Sequence, residues 1–325
     1  MSTTGAARRR LGPRGFITEA PPRPISAALV RLGLRVTGLL PLRAAHGIGA
    51  VAGSLLAFVP TRERHVTAVN LALTMPQLST RERARLCRRS LAHLGRMAAE
   101  LGILWTRDPS RVLALVKSVE GRAIIDEALA AGRGVFVVTP HLGSWEMLLL
   151  HLGASHGIAT LYRPQRIEEL DDFVRRARER TGGRLLPPSS AVREVRRALA
   201  KGAICGMASD QDPGEGSGIF VPFMGQLANT RTLPGRLVAA TGALLVIGVA
   251  ERLPRGAGFA VRFERASQEA HAEEPEIAAR ALNADVERII RRLPEQYLWS
   301  YKRYRIRADG GPDPYRRGEP QRGDA

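Results

Sequence analysis

Four residues stand where a group that moves a proton or holds a charge could do chemistry: His141, Glu146, Arg163 and Asp210. The first two stand five apart in GVFVVTPHLGSWE, residues 134–146. Residues 134–139 are apolar and largely β-branched, the pattern of a buried strand. Pro140 stops that strand, and Ser144 is a candidate cap for a helix running through Trp145, Glu146 and Met147. His141 is then expected at the mouth of a strand-to-helix loop, with Glu146 in the first helical turn, where the helix N-terminus favours its ionised form. A carboxylate that accepts from one imidazole nitrogen leaves the other free as a base. The pair therefore reads as a general base, His141, oriented by an acid, Glu146. A histidine near a strand end and an acid in a first turn are each commonplace, so the reading needs support from the rest of the chain.

Arg163 and Asp210 each follow an apolar run at its C-terminal end, 158–162 and 203–208. If these strands and 134–139 are parallel neighbours, His141, Arg163 and Asp210 face one crevice beyond the strand ends, where open α/β sheets bind ligands. An arginine there would hold a phosphate or stabilise an oxyanion. The plainer alternatives are a surface charge for Arg163 and a turn-opening residue for Asp210. Asp210 and Asp212 could share a metal, but no second cluster of histidine or glutamate supports one, so the expectation is no metal and no cofactor. Ser155 lies in a G-x-S-x-G match, GASHG, but a helix is expected before it and a strand after it, the reverse of a nucleophile elbow.

The elements that must position these residues read as α/β, a mostly parallel sheet flanked by helices behind a helical N-terminal segment. Ser79 and Glu82 match a capping box opening a helix to about residue 104. Further helices are expected at 121–131, 170–180, 191–200, 233–241 and 275–292. Further strands are expected at 184–186, 243–250 and 259–265. Four divisions follow: a disordered basic tail at 1–24, a membrane-associated helical segment at 25–60, a catalytic domain at 61–307 and a disordered tail at 308–325. The segment at 25–60 is the most apolar part, but Arg31, Arg35 and Arg43 interrupt it and Gly47, Gly49 and Gly53 weaken it as a span. It suits a helix lying in a membrane interface better than one crossing it, with ordinary core helices as the alternative.

The 325 residues carry 49 Lys+Arg against 31 Asp+Glu, a net charge of +18. Such a balance fits nucleic acid, an anionic membrane, or an acidic protein or phosphorylated substrate. Aromatics are only 5% and no zinc-finger or RNP-like spacing occurs, so nucleic acid is not the expected partner. Cys87 and Cys205 lack metal or redox spacing and read as small core residues.

HLGSWE fits the H-x-x-x-x-[DE] signature of glycerolipid acyltransferases. RHVTAVNLALTMPQLSTRER, LYRPQRIEELDDFVRRARERTGG, SDQDPGEGSGIFVPFMGQLANT and EQYLWSYKRYR resemble, in order, the other blocks of the lipid A biosynthesis (lauroyl/myristoyl) acyltransferases. The resemblance spans about residues 25–307. It implies an O-acyltransferase at the cytoplasmic face of the cell inner membrane. Such an enzyme moves a fatty acyl chain from acyl carrier protein or coenzyme A to a hydroxyl of a lipid A precursor or another glycolipid. It also implies that His141 is the catalytic base and Glu146 its orienting acid, with Arg163 and Asp210 in substrate-binding blocks. The competing reading is a non-catalytic protein that binds lipid or nucleic acid through its basic surface.

Overall fold

A computed structural model describes residues 24–165 and 167–316, with side chains from residue 28 onward. The expected tail at 1–24 lies almost wholly outside the described residues. The chain runs through α1 (Pro24–Leu39), α2 (Leu42–Leu55), α3 (Arg62–Thr74), α4 (Thr80–Thr106), α5 (Pro109–Leu113), β1 (Val116–Glu120), α6 (Arg122–Ala130), β2 (Val135–Thr139) and α7 (Trp145–His156). It continues through β3 (Ala159–Leu161), α8 (Glu168–Glu179), β4 (Arg184–Leu186), α9 (Ala191–Ala200), β5 (Ile204–Ala208), β6 (Ile219–Phe223), β7 (Gln226–Thr230), α10 (Leu233–Thr241), β8 (Leu244–Arg252), β9 (Phe259–Arg265) and α11 (Pro275–Arg292).

Seven strands form one sheet in the order β1-β9-β8-β2-β5-β3-β4. Every pairing is parallel except β8 with β9. The expected class, α/β with a mostly parallel sheet flanked by helices, is the one observed. β2 is central because its side chains are apolar on both faces, and alternation sends them to different cores. Phe136 and Val138 join one core with Leu91, Tyr297 and Trp299, while Val135 and Val137 join another with Met147, Leu150 and Val246. Residues 135–138 are at most 3% exposed. Burial of each such side chain contributes roughly 1.5–3 kcal/mol, which fixes β2 in the middle of the sheet.

The capping box forms as expected: Ser79 caps α4, and the Glu82 carboxylate accepts from the Ser79 amide at 2.7 Å. The 27-residue α4 then serves as the column on which α1 and α2 pack. A Cβ on Gly49 would sit 2.4 Å from the Gly95 carbonyl oxygen, and one on Gly53 would sit 2.1 Å from that of Leu91. Two of the glycines that weaken 25–60 as a lone span thus let α2 lie backbone-to-backbone on α4. Among the described residues, no helix is long and apolar enough to cross a membrane.

Not everything expected to be tail is loose. Residues 308–316 pack back on the fold: Tyr315 is 3% exposed, its hydroxyl donates to Asn70 Oδ1 at 2.5 Å, and it accepts from the Tyr304 amide. The hairpin of β6 and β7 is a second departure, an antiparallel pair inserted where a Gly-rich loop and FVPFMG gave no strand periodicity.

Candidate active site

β2, β5 and β3 are adjacent and parallel, so the loops carrying His141, Asp210 and Arg163 leave the same edge of the sheet. The His141 loop is held by its backbone. Gly143 adopts φ +62°, and a Cβ there would meet the Ala250 carbonyl oxygen at 2.2 Å, so the loop lies flat against β8 only because residue 143 is glycine. The Gly143 amide donates to Gln296 O, that of Ser144 to Ala250 O, and that of Leu298 to His141 O at 2.9 Å. Ser144 precedes α7 as expected but makes no side-chain capping bond.

His141 does not meet Glu146. Its Nδ1 lies 2.7 Å from Asp210 Oδ1, and its backbone N–H donates to Asp210 Oδ2 at 3.0 Å. One carboxylate thereby fixes both the ring and the loop that carries it. Burial alone would push the Asp210 carboxyl up, but His141, through its charge and its hydrogen bonds, brings it below the ordinary range. The other ring nitrogen, Nε2, lies 3.2 Å from the Gln211 side-chain nitrogen, which carries only N–H donors. The imidazole therefore holds its proton on Nδ1 and presents a lone pair at Nε2. Trp145 packs edge-on against the ring at 4.9 Å and limits its rotation.

Glu146 sits in the first turn of α7, 3% exposed, but faces the opposite way. Its Oε2 accepts from Arg178 Nε at 2.9 Å and from Trp105 Nε1 at 3.1 Å, while Oε1 accepts from Arg178 Nη2. The reason is periodicity: a residue in the first turn of α7 can face the loop or the flanking helices, and α4 and α8 present a half-buried indole and a guanidinium. The expected contact of Glu146 with His141 is corrected accordingly; Asp210, expected as a substrate-binding residue, makes it instead. The Arg178 side chain is turned inward accordingly and is only 19% exposed.

Arg163 is exposed at the C-terminal end of β3. It stands close enough to Arg231, which follows β7, for the two charges to repel, with Asp212 and Tyr301 offsetting them. Asp212 does not join Asp210: its Oδ1 accepts from the Gly214 amide and from Asn229 Nδ2, each at 2.8 Å, and shapes the loop. The amides of residues 141–144 all have acceptors, so none of these four is free to stabilise an oxyanion. Sequence reasoning missed Gln211, Arg231 and the two donors to Glu146, Trp105 and Arg178. The one sequence signal for Gln211 is its place between the two aspartates.

The separated blocks that looked alike in sequence are joined around this loop. Asn70 of α3 donates to Trp299 O at 2.6 Å and to Tyr301 O at 2.8 Å. Arg303 in turn donates to Asn229 O and to Thr230 Oγ1, and Asn229 reaches Asp212. Each block braces the next, and the last braces His141 through Leu298.

Comparison with known proteins agrees with that pattern. The chain is 29% identical over 291 residues to a lipid A biosynthesis lauroyltransferase of Escherichia coli (strain K12), covering 88% of this chain and 94% of that one. It is 30% identical over 265 residues to the palmitoleoyltransferase of the same organism, covering 81% and 84%. To the myristoyltransferase it is 26% identical over 263 residues, covering 78% and 79%. The profile of the bacterial lipid A biosynthesis acyltransferases matches residues 20–306, and the chain belongs to that family of acyltransferase enzymes.

Proposed function

We propose that the protein transfers a fatty acyl chain from a carrier thioester, acyl carrier protein or coenzyme A, to a hydroxyl of a lipid A precursor. The observation that carries this reading is the Asp210–His141 pair, with an unprotonated Nε2 facing the crevice. Nε2 takes the proton from the acceptor hydroxyl as its oxygen attacks the thioester carbonyl. The tetrahedral oxyanion collapses, the C–S bond breaks, and the leaving thiolate takes the proton back from the imidazolium. No acyl-enzyme is required. Gln211 moves off Nε2 when the hydroxyl arrives. With the amides of 141–144 engaged, we assign oxyanion stabilisation to Arg163, whose loop leaves the same sheet edge as that of His141, a contribution of about 10²–10³-fold for one donor. General-base help adds about 10²–10⁴-fold. Glu146 supports the site indirectly by holding Arg178 and Trp105 against α7.

The same reading places the protein on the cytoplasmic face of the inner membrane, attached through α1 and α2 without spanning. Among the described residues, ten of the fourteen exposed large apolar side chains lie between residues 29 and 59, including Leu39 at 83% and Phe58 at 70%. A patch of that kind marks a membrane or partner surface. The test is an assay of purified protein with acyl thioester and lipid A precursor in mixed micelles, read by mass spectrometry. A product heavier by one acyl group, formed without a labelled acyl-protein, supports the reading. Thioester hydrolysis without an acylated lipid refutes it.

A further inference from the structure

A groove of about 520 Å³ runs between α2 and α4 and is separate from the His141 crevice. Its floor comes from Val51 and Leu55 of α2 and from Phe58 in the turn that follows, which are 63%, 58% and 70% exposed. Its other wall, from α4, carries Arg88, Arg89 and Arg96. Arg89 is paired with Glu295 at 3.0 Å, which also neutralises the one carboxylate in the groove. Arg88 and Arg96 have no carboxylate partner among the described residues, although fifteen other arginine side chains there do.

The position of Arg96 is costly without an anion. It is half-buried beside Arg252, and burial and that second cation together lower its basicity. Glu100 does not relieve it, because both of its carboxylate oxygens are taken by Arg252, with His46 also on Oε2. His93, one turn before Arg96, lines the same groove, and its Nδ1 is buried with no hydrogen-bond partner among the described residues. A groove with an apolar floor and two surplus guanidinium groups matches an amphiphile with a phosphate head.

We propose that this groove binds one anionic phospholipid of the bilayer. Its phosphate meets Arg96, Arg88 stands at the mouth toward Phe58, and an acyl chain lies along Val51 and Leu55. The antiparallel contact of α2 and α4, Gly49 to Gly95 and Gly53 to Leu91, sets that order. The exposed apolar side chains of Val51, Leu55 and Phe58 line the groove itself, so a lipid reaches it sideways from the leaflet. Guanidinium groups suit a phosphate geometrically, and a groove of this size falls within the range that holds small ligands.

The experiment is native mass spectrometry of the full chain released from micelles containing dioleoylphosphatidylglycerol or dioleoylphosphatidylcholine. One phosphatidylglycerol is retained per chain, and phosphatidylcholine is retained at least tenfold less. Arg96→Gln and Ser54→Trp, the second filling the groove without changing charge, each lower phosphatidylglycerol retention at least tenfold; Arg88→Gln, at an exposed site with no folding role, lowers it less. Flotation of these variants with neutral vesicles is unchanged. Equal retention of the two lipids, or wild-type retention by Arg96→Gln and Arg88→Gln, overturns the proposal. So does a raised KM for the glycolipid acceptor with phosphatidylglycerol retention intact, since the groove would then belong to the acceptor. The site does not depend on the acyl-transfer reading, because retention is measured without turnover.

Discussion

Replacing Asp210 with asparagine conserves shape and removes the charge that organises His141. The carboxylate accepts twice, from Nδ1 at 2.7 Å and from the His141 backbone N–H at 3.0 Å. An asparagine has one acceptor and one donor end. Its oxygen must take the backbone N–H, because that group is a fixed donor, which leaves the amide N–H₂ facing Nδ1. Nδ1 then becomes an acceptor, the ring proton moves to Nε2, and the base is lost in the resting enzyme. The alternative orientation sets two N–H donors against each other at a position only 4% exposed, costing about 1–3 kcal/mol. The full general-base contribution is at risk, so kcat falls by about 10²–10⁴, or roughly 3–5 kcal/mol in activation free energy, with KM for both substrates little changed. Single-turnover transfer measured by mass spectrometry checks this. Glu146→Gln is the matched comparison: it leaves Arg178 buried without its carboxylate and lowers stability by about 3–5 kcal/mol, read as a fall in Tm. An Asp210→Asn enzyme with kcat within fivefold of wild type refutes the assignment of the orienting carboxylate.

Three further outcomes follow from other parts of the fold. Burial pushes Glu100 up, but Arg252 and His46 outweigh it and hold its carboxyl down at about 2, so its ionised form stabilises the folded state. That contribution is complete above the ordinary carboxylate range and is lost as pH falls from about 4.5 toward 2; it is worth roughly 3 kcal/mol, and Glu100→Gln should flatten acid unfolding in that window while lowering Tm at neutral pH. Gly95→Ala would place a Cβ 1.9 Å from the Gly49 carbonyl oxygen and should destabilise by about 2 kcal/mol or more, whereas Gly47→Ala, with nothing within 4 Å, should be neutral or stabilise by up to ~1 kcal/mol; thermal unfolding of the two distinguishes a helix seam from a general glycine effect. With Arg178 turned inward, the outward arginines of α8 are Arg175 and Arg176, the second 74% exposed. If they meet an acidic acyl carrier protein, Arg175→Glu with Arg176→Glu should raise KM for that donor, more at low salt, with kcat little changed; a wild-type KM at every salt concentration removes these two arginines from the donor contact.

Much of the frame was legible because it is written in local pattern. The apolar run of β2, the capping box of α4 and the long amphipathic α11 all emerge from periodicity and end signals. That His141, Arg163 and Asp210 leave one edge of the sheet also follows from the order of α and β segments. What was not legible is direction. Spacing placed Glu146 near His141, but which way a first-turn side chain faces depends on Trp105 and Arg178, which arrive from 41 and 32 residues away. The glycines at 49 and 53 looked like weakness in a lone helix and act as the contact surface of a packed one. The β6–β7 hairpin and the packing of Tyr315 rest on distant partners and carry no local signal.

The central claim is that Nε2 of His141, with Asp210 behind it, removes the proton from the acceptor hydroxyl. The most direct measurement is single-turnover acyl transfer by purified His141→Ala, with Tm and vesicle binding measured on the same preparation. The account predicts transfer slowed by at least 10²-fold in a protein that folds and binds vesicles as wild type does. Transfer within a few-fold of wild type would contradict it.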